Sequence, residues 1–287
     1  MKLLEAIQKG ASFLEEKGVE SARLNVELLL EEILKIPRLQ LYMEFGRELD
    51  ASQTQALREA IQRRGRREPL QHIIGYTEFC GLRIDVNPHV LIPRPETEQL
   101  AELAANFLKD LQRPTKVLEI GTGSGCLAIA VAHQANDCSI TTVDVSSEAL
   151  SVARSNAERH QLTDRIKFLN QDGLKSLSKF KDLDLLVSNP PYIPSADIQD
   201  LDPEVRDHDP RLALDGGDDG LDFYRSLAED APPCLNEGGR IMLEFGDGQG
   251  PELEAVFRSS EWQNISLKPD FSGKDRFLVA SRPHGTG

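Results

Sequence analysis

The chain is 287 residues long, 39% apolar and 28% charged, enough for one large domain or for a medium domain with a small companion. It has no run of about eighteen apolar residues, so no membrane-spanning helix is expected; its first stretch, MKLLEAIQKGASFLEEKGVES, holds several glutamates and no sustained apolar core, unlike a secretory signal or a transit peptide. The net charge of −14 is unevenly placed: residues 1–75 hold 12 Lys and Arg against 12 Asp and Glu, so the remainder carries all of it, and so acidic a body repels a phosphate backbone and makes long nucleic acid a poor main partner.

The first 75 residues read as short helices. LEAIQKGASFLEEKG puts Leu4, Ile7, Phe13 and Leu14 near one face, with Gly10 and Gly18 as punctuation. SARLNVELLLEEILK opens on Ser21 as N-cap, carries an apolar stripe through Leu24, Leu28, Ile33 and Leu34, and stops at Ile36-Pro37. DASQTQALREAIQRRG starts on Asp50 or Ser52 and ends at Gly65. The basic run Arg63–Glu68 reads as a solvated helix end or a contact patch. A neutral bundle without a polar constellation is an accessory module. Then GYTEFCGLRIDVN, with short alternating runs about a Gly, predicts a β-hairpin between two domains, and in IPRPE a rigid stretch places Pro95 in the first turn of the next helix. The four cysteines, Cys80, Cys126, Cys138 and Cys234, form no CxxC pair, which points to free thiols in a reducing cytosol and to no metal site.

From about residue 115 strands alternate with helices. KVLEIG, SITTVDV, IKFLN, LDLLVSN, RIMLEFG, NISLKP and RFLVAS are the strands, with helices near 125–134, 147–161, 220–231 and 249–259. This order predicts a doubly wound α/β sheet with helices on both faces.

Two loops carry chemistry. EIGTGSG follows the first of these strands, with Gly121, Thr122, Gly123, Ser124 and Gly125 opening a helix. Its G-x-G-x-G spacing brings the third glycine one place early for a pyrophosphate fingerprint. Asp144 ends the second strand, 23 positions after Gly121, where a carboxylate accepts both ribose hydroxyls and repels a 2′-phosphate. An unmodified ribose without phosphates fits S-adenosylmethionine, with a nicotinamide cofactor as the other candidate. Asp172 and Gly173 end the third strand, either beside the adenine or as a plain helix cap.

The second loop is SNPPY, where two prolines end a buried strand abruptly. The side-chain oxygen of Asn189 and the carbonyl of Pro190 are neutral acceptors that can take both N–H bonds of a planar NH₂ group and aim its lone pair at a methyl carbon. Pro191 stiffens the peptide and removes a competing donor, and Tyr192 offers a flat face to a planar substrate. None of the six histidines lies beside either loop in sequence, consistent with a scheme that needs orientation more than a strong base.

With these residues the chain resembles the HemK/PrmC family of protein-glutamine methyltransferases over nearly its whole length: EPLQHIIGYTEFCGLRIDVNPHVLIPRPETE (68–98), VLEIGTGSGCLAIA (117–130), DVSSEAL (144–150), LLVSNPPYIP (185–194) and DPRLALDGGDDGLDFYR (209–225) carry the resemblance. NPPY by itself is shared with methylases of DNA and RNA bases. The resemblance implies a seven-stranded, Rossmann-like class I S-adenosylmethionine-dependent methyltransferase domain at 94–287, a β-hairpin linker at 73–93 and a helical substrate-docking domain at 1–72. It implies methylation of the side-chain amide of the glutamine in the Gly-Gly-Gln motif of class-1 peptide release factors. Gly121 to Gly125, Asp144, Gly173 and Asn189 would hold the cofactor, and Asn189, Pro190, Pro191 and Tyr192 the glutamine, with Asn189, Pro190 and Tyr192 catalytic. Gly173 stands where some relatives carry a residue as large as Trp, His72 and Cys80 where aromatics are common, and Leu91 where an aromatic can line the pocket. A base methyltransferase and a non-enzymatic cofactor-binding adaptor are the other readings; the acidic body speaks against the first and the NPPY loop against the second. A cytoplasmic monomer is expected, since no long apolar stripe is left over.

Overall fold

The computed structural model describes residues 1–282. The chain divides into two compact units: Met1–Tyr76 together with Asp202–His208, and Thr77–Leu201 together with the chain from Asp209 onward. No helix among the described residues is long and apolar enough to cross a membrane.

The smaller unit holds α1 (Leu3–Glu16), α2 (Ala22–Leu34), α3 (Arg38–Met43), α4 (Ala51–Gly65) and α5 (Leu70–Ile74), joined by the single turn α10 (Pro203–Arg206). Its core is built from Leu3, Ile7, Leu14, Val26, Leu29, Leu30, Leu41 and Leu57. Gly10 does not punctuate α1. The helix runs through it, and a Cβ there would stand 2.7 Å from Ile61 Cδ1 and 3.0 Å from Val26 Cγ2, so the missing side chain lets α2 and α4 pack closely on α1 at this point. Of the expected α2 stripe, Leu34 is buried, Ile33 packs against the core and Leu28 is half-buried, but Leu24 is exposed, and Ala22, Val26, Leu29 and Leu30 widen the buried face. Nor does Ser21 cap α2; it sits at the N-cap position in the left-handed region and its side chain makes no cap bond. Asn25 instead donates to the Glu20 and Ser21 carbonyls. Asp50 does cap α4, in a reciprocal box with Gln53.

The basic run at the end of α4 is mostly engaged within the unit. Arg63 pairs with Glu68. Arg64, 7% exposed, donates to Asn25 Oδ1 at 2.8 Å and to Glu204 at 2.9 Å. Arg67 grips the same Glu204 with Nε at 2.7 Å and Nη2 at 2.6 Å. A paired, partly buried carboxylate of this kind fastens the Asp202–His208 segment.

The larger unit opens with a hairpin, β1 (Tyr76–Phe79) and β2 (Leu82–Asp85), turned at Cys80 and Gly81, both with positive φ, as a two-residue type I′ connection requires. Then α6 (Pro95–Asp110) starts with Pro95 in its first turn. The main sheet follows: β3 (Thr115–Ile120), β4 (Cys138–Asp144), β5 (Ile166–Asn170), β6 (Leu183–Ser188), β7 (Leu235–Glu244), β8 (Gln263–Pro269) and β9 (Asp275–Ser281), in the order β5-β4-β3-β6-β7-β9-β8. Neighbours from β5 to β7 are parallel, and β9 runs antiparallel to both β7 and β8. β7 begins at Leu235, ahead of the expected start at Arg240, with an irregularity opposite Leu183–Leu185. The helices are α7 (Cys126–Gln134), α8 (Ser147–Arg159), α9 (Gly173–Ser176), α11 (Asp222–Asp230) and α12 (Gly250–Ser259).

One apolar core lies between the sheet and α6, α7, α8 and the hairpin, including Phe79, Ile84, Leu100 and Ile129; the other lies under α11 and α12, with Tyr224, Phe245, Leu253 and Phe257. Central β6 is buried at every residue, as a parallel strand covered on both faces must be. The strand order reverses between β3 and β6. In open α/β sheets that reversal opens a crevice at the carboxyl ends, and it is after these two strands that the glycine loop and the Asn-Pro-Pro-Tyr turn begin.

Replacing Gly10 by Val overpacks the α1–α2–α4 junction. Expected is a loss of about 1–3 kcal/mol, read as a lower unfolding midpoint in urea, with S-adenosylmethionine binding by the native protein unaltered.

Candidate active site

A cavity of about 290 Å³ lies at the carboxyl ends of β3, β4 and β6. The ends of β3 and β6 are tied directly: the buried Ser188 hydroxyl donates to the Ile120 carbonyl at 2.6 Å. On one side the glycine loop is anchored to β4, since Gly121 N and Thr122 N both donate to the Val143 carbonyl. Gly123 has φ +52°, and a Cβ on it would meet nothing within 4 Å; bare backbone faces open space there. Gly125 is different: it lies outside the cavity wall, and a Cβ on it would press on Ala153 of α8 at 3.0 Å. The other four loop residues, Gly121, Thr122, Gly123 and Ser124, line the cavity.

Asp144 braces this loop. Its Oδ2 accepts from Gly123 N at 3.0 Å and its Oδ1 from Ser146 N at 2.9 Å. Each oxygen keeps a further lone pair for a ligand hydroxyl. Below the loop, the Thr122 hydroxyl lies 2.7 Å from that of Thr142, which donates to Glu119. Glu119 is fully buried, and burial, with Asp144 adding to it, pushes its carboxyl from 4.5 up to about 8. Asn156, also buried, donates to the Ser124 carbonyl and to the Asp85 carbonyl, both at 2.9 Å, and accepts from Asp85 N at 2.8 Å. It links β2 to the loop; no motif in the sequence marks it.

Asp172 serves both candidate roles: it caps α9 through Lys175 N at 3.2 Å and it lines the cavity. Gly173 lines the wall too, but a Cβ there would stand 2.6 Å from Ile120 Cγ2 and 2.9 Å from Val143 Cγ2. In this chain only backbone can face a ligand at that position.

Asn189, Pro190 and Pro191 form the opposite wall. A Cβ on Gly121 would lie 3.9 Å from the Asn189 carbonyl oxygen, so the two loops face each other closely. Asn189 Nδ2 donates to Thr97 Oγ1 at 3.0 Å, and Thr97 Oγ1 donates to Glu244 Oε2 at 2.7 Å. Thr97 and Glu244 are both buried. Burial, reinforced by Glu96, lifts the Glu244 carboxyl up to about 7, against the pull of the Thr97 hydrogen bond and of Arg276 and Arg94. Tyr192 is not in the cavity wall. Its ring packs against the α11–α12 core, a Cβ on Gly246 would meet its Cδ2 at 3.0 Å, and its carbonyl accepts from Gln249 Nε2 at 2.9 Å. Burial raises its phenol to about 12. The ring and the carbonyl of Tyr192 thus brace the turn against the α11–α12 side.

Leu91, at the position where an aromatic can line the pocket, does line it, and Pro210, Leu212 and Ala213 from the segment after Asp209, without an expected role, complete the wall. Arg94 Nη2 holds that segment by donating to Asp209 Oδ2 at 2.6 Å. Exposed His89, remote from both loops in sequence, is brought to the same wall by the turn after β2. The apolar pattern of DPRLAL is too short to show which face it turns inward.

The residues present fit an S-adenosyl nucleoside. Open glycine backbone, a carboxylate with two uncommitted lone pairs, and a second carboxylate at Asp172 accept hydroxyls and a positive charge and disfavour a pyrophosphate. The fold and the cavity thus define a class I methyltransferase with S-adenosylmethionine as methyl donor. Residues 5–75 match the family model of the PrmC N-terminal domain, and residues 98–201 that of the methyltransferase small domain. A release factor glutamine methyltransferase of Geobacter sulfurreducens is 44% identical over 93% of this chain and 92% of its own length; one of Deinococcus radiodurans is 39% identical over 99% and 100%. A solved methyltransferase of Pyrococcus furiosus superposes with a TM-score of 0.51 at 22% identity, over 71% of this chain and 90% of its own, a likeness of fold. The chain belongs to the release factor glutamine methyltransferase family.

Glu119 and Glu244 hold protons in the fold up to about 8 and about 7, against an ordinary 4.5. Their protonated forms therefore favour the folded state, fully so below the ordinary value, and that contribution is lost as pH rises through the folded values. Thermal melts are expected to show a midpoint that declines between about pH 5.5 and pH 8. Glu119→Gln reduces the slope; an unchanged slope would show that Glu119 does not titrate in this range.

Proposed function

We propose that this chain transfers the methyl group of S-adenosylmethionine to the side-chain amide nitrogen of the glutamine in the Gly-Gly-Gln motif of class-1 peptide release factors, in the cytoplasm. The observation that carries the reading is the meeting of the glycine loop and the Asn-Pro-Pro turn in one cavity, with Gly121 against Asn189. Family membership supports it.

A carboxamide nitrogen is a poor nucleophile because its lone pair is delocalised. Asn189 Oδ1 and the Pro190 carbonyl accept no hydrogen bond from the described residues, so both are free to take the two N–H groups of a glutamine amide. This fixes the amide plane and directs the lone pair across the cavity toward the glycine loop. When bound, S-adenosylmethionine supplies an electrophilic methyl carbon on a positively charged sulfur. Gly121, Thr122, Gly123 and Ser124 would hold its amino-acid and ribose portions against bare backbone, Asp144 its ribose hydroxyls, and Gly173 with Asp172 its adenine edge. The substrate nitrogen, cationic once methylated, loses its proton to water without a strong base. Orientation supplies most of the rate in this scheme. Tyr192 acts by keeping Asn189 and Pro190 in place.

Residues 1–72 are proposed as the docking element for the release factor. Supporting this, residues 1–75 are neutral in sequence and expose Leu39, Tyr42 and Met43 along α3. The charge of the rest of the chain favours a protein partner over nucleic acid.

Incubation with labelled S-adenosylmethionine and a release factor is expected to label the glutamine, and a Gln→Ala factor to take no label; equal labelling of both refutes the assignment. Asn189→Ala is expected to lower kcat roughly 10²-fold, with cofactor affinity by calorimetry much less affected. Leu39→Glu with Met43→Glu should raise KM for the whole release factor and leave kcat and cofactor binding near the parent values; an unchanged KM excludes α3 from docking.

A further inference from the structure

A carboxamide is nearly symmetric in shape, and its oxygen and nitrogen exchange places on a half-turn with little steric consequence. Only the oxygen can accept a substrate N–H. An asparagine at the cavity wall is therefore competent in one orientation and obstructive in the other, where two NH₂ groups would face each other. Asn189 has one hydrogen-bond partner among the described residues, Thr97 Oγ1 at 3.0 Å. A hydroxyl can donate or accept, so Thr97 alone does not decide which end of the amide it holds.

The next group in line decides it. Thr97 Oγ1 lies 2.7 Å from Glu244 Oε2, and an ionised carboxylate can only accept. The single hydroxyl proton then points to Glu244, and the hydroxyl lone pair faces Asn189. We propose that Thr97 and Glu244 form a positioning relay that sets the polarity of the Asn189 carboxamide, holding its nitrogen inward and its oxygen toward the substrate amide. The proposal rests on the methyl-transfer reading of this cavity and adds two positioning residues to it, one on α6 and one at the end of β7.

The groups around Glu244 allow the relay to be reversed. Arg94 and Glu96 face it from the start of α6, Arg276 from β9, and Tyr192 from the turn after β6. The Tyr224 hydroxyl of α11 donates to the Glu244 backbone carbonyl at 2.8 Å. Burial and Glu96 favour the neutral acid, while the two arginines and Thr97 favour the anion. A protonated Glu244 can donate to Thr97, which then donates to Asn189 Oδ1 and turns the amide round. Acid thus switches off the acceptor without removing any residue from the cavity.

The test combines turnover with a readout of the free protein. Thr97→Val keeps the shape and removes the hydroxyl; kcat is expected to fall about 10- to 100-fold, with S-adenosylmethionine affinity by calorimetry within about twofold. Thr97→Ser is expected to restore most of kcat. Parent kcat should drop about tenfold per pH unit below a midpoint near Glu244's titration, and Glu244→Gln should flatten that limb, since an amide has no proton to gain. In the ligand-free chain, the ¹⁵N–¹H side-chain signals of Asn189, identified by their loss in Asn189→Ala, should titrate with the Glu244 carboxyl carbon and lose that response in Thr97→Val. Parent-like kcat in Thr97→Val, or Asn189 signals indifferent to pH, overturns the relay. Should Thr97→Val fail to fold, the parent titration and the Glu244→Gln profile decide alone. If the release factor is no substrate of the parent chain, the methyl-transfer reading falls while the resonance titration still decides the relay.

Discussion

Everything in the cavity depends on two neighbouring parallel strands that end together. β3 and β6 lie side by side where the strand order reverses, and the Ser188 hydroxyl bonds the Ile120 carbonyl across them at the last residue before the chains diverge. From those ends the chain turns into a glycine loop on one side and a proline-stiffened turn on the other. The prolines cannot continue the ladder and the glycines adopt positive φ, so each strand stops abruptly with its polar groups facing the gap.

The two loops are supported in the same way. Behind the glycine loop, Thr122 reaches Glu119 through the hydroxyl of Thr142; behind the turn, Asn189 reaches Glu244 through the hydroxyl of Thr97. In each case a carboxyl buried among strands ends the path, through two hydroxyls behind the glycine loop and one behind the turn, and burial makes it a weaker acid. Isolated buried carboxylates are costly, and a hydroxyl partner offsets part of that cost while fixing a direction. A hydroxyl has one proton, so a row of them has a sense that the terminal acid sets.

Charge is arranged by part. Residues 1–75 are neutral, and much of their basic run is spent on carboxylates of the same unit, with Arg64 and Arg67 sharing Glu204. The rest of the chain is strongly acidic, and the cavity keeps carboxylates at Asp144 and Asp172. Such a surface suits a cationic, phosphate-free nucleoside and a protein substrate better than a polyanion. Side chains that hold the wall, such as Arg94 on Asp209, act against this background by placing single positive charges where a loop must be fixed.

The sequence by itself determined the alternation of strands and helices, the glycine loop, the carboxylate after β4 and the Asn-Pro-Pro turn. Each is written in consecutive residues, as a periodicity, a backbone conformation or a broken ladder. It did not reveal that α1 runs through Gly10, that Leu24 on α2 is left exposed, or that the Tyr192 ring packs against the α11–α12 core, because these depend on which elements lie alongside. Thr97, Asn156, His89 and Glu244 reach the site from α6, α8, the turn after β2 and the end of β7, far apart along the chain. Only the tertiary structure decided their roles, since the direction of a hydrogen bond is set by the partner that packing supplies and not by the residue that carries the group.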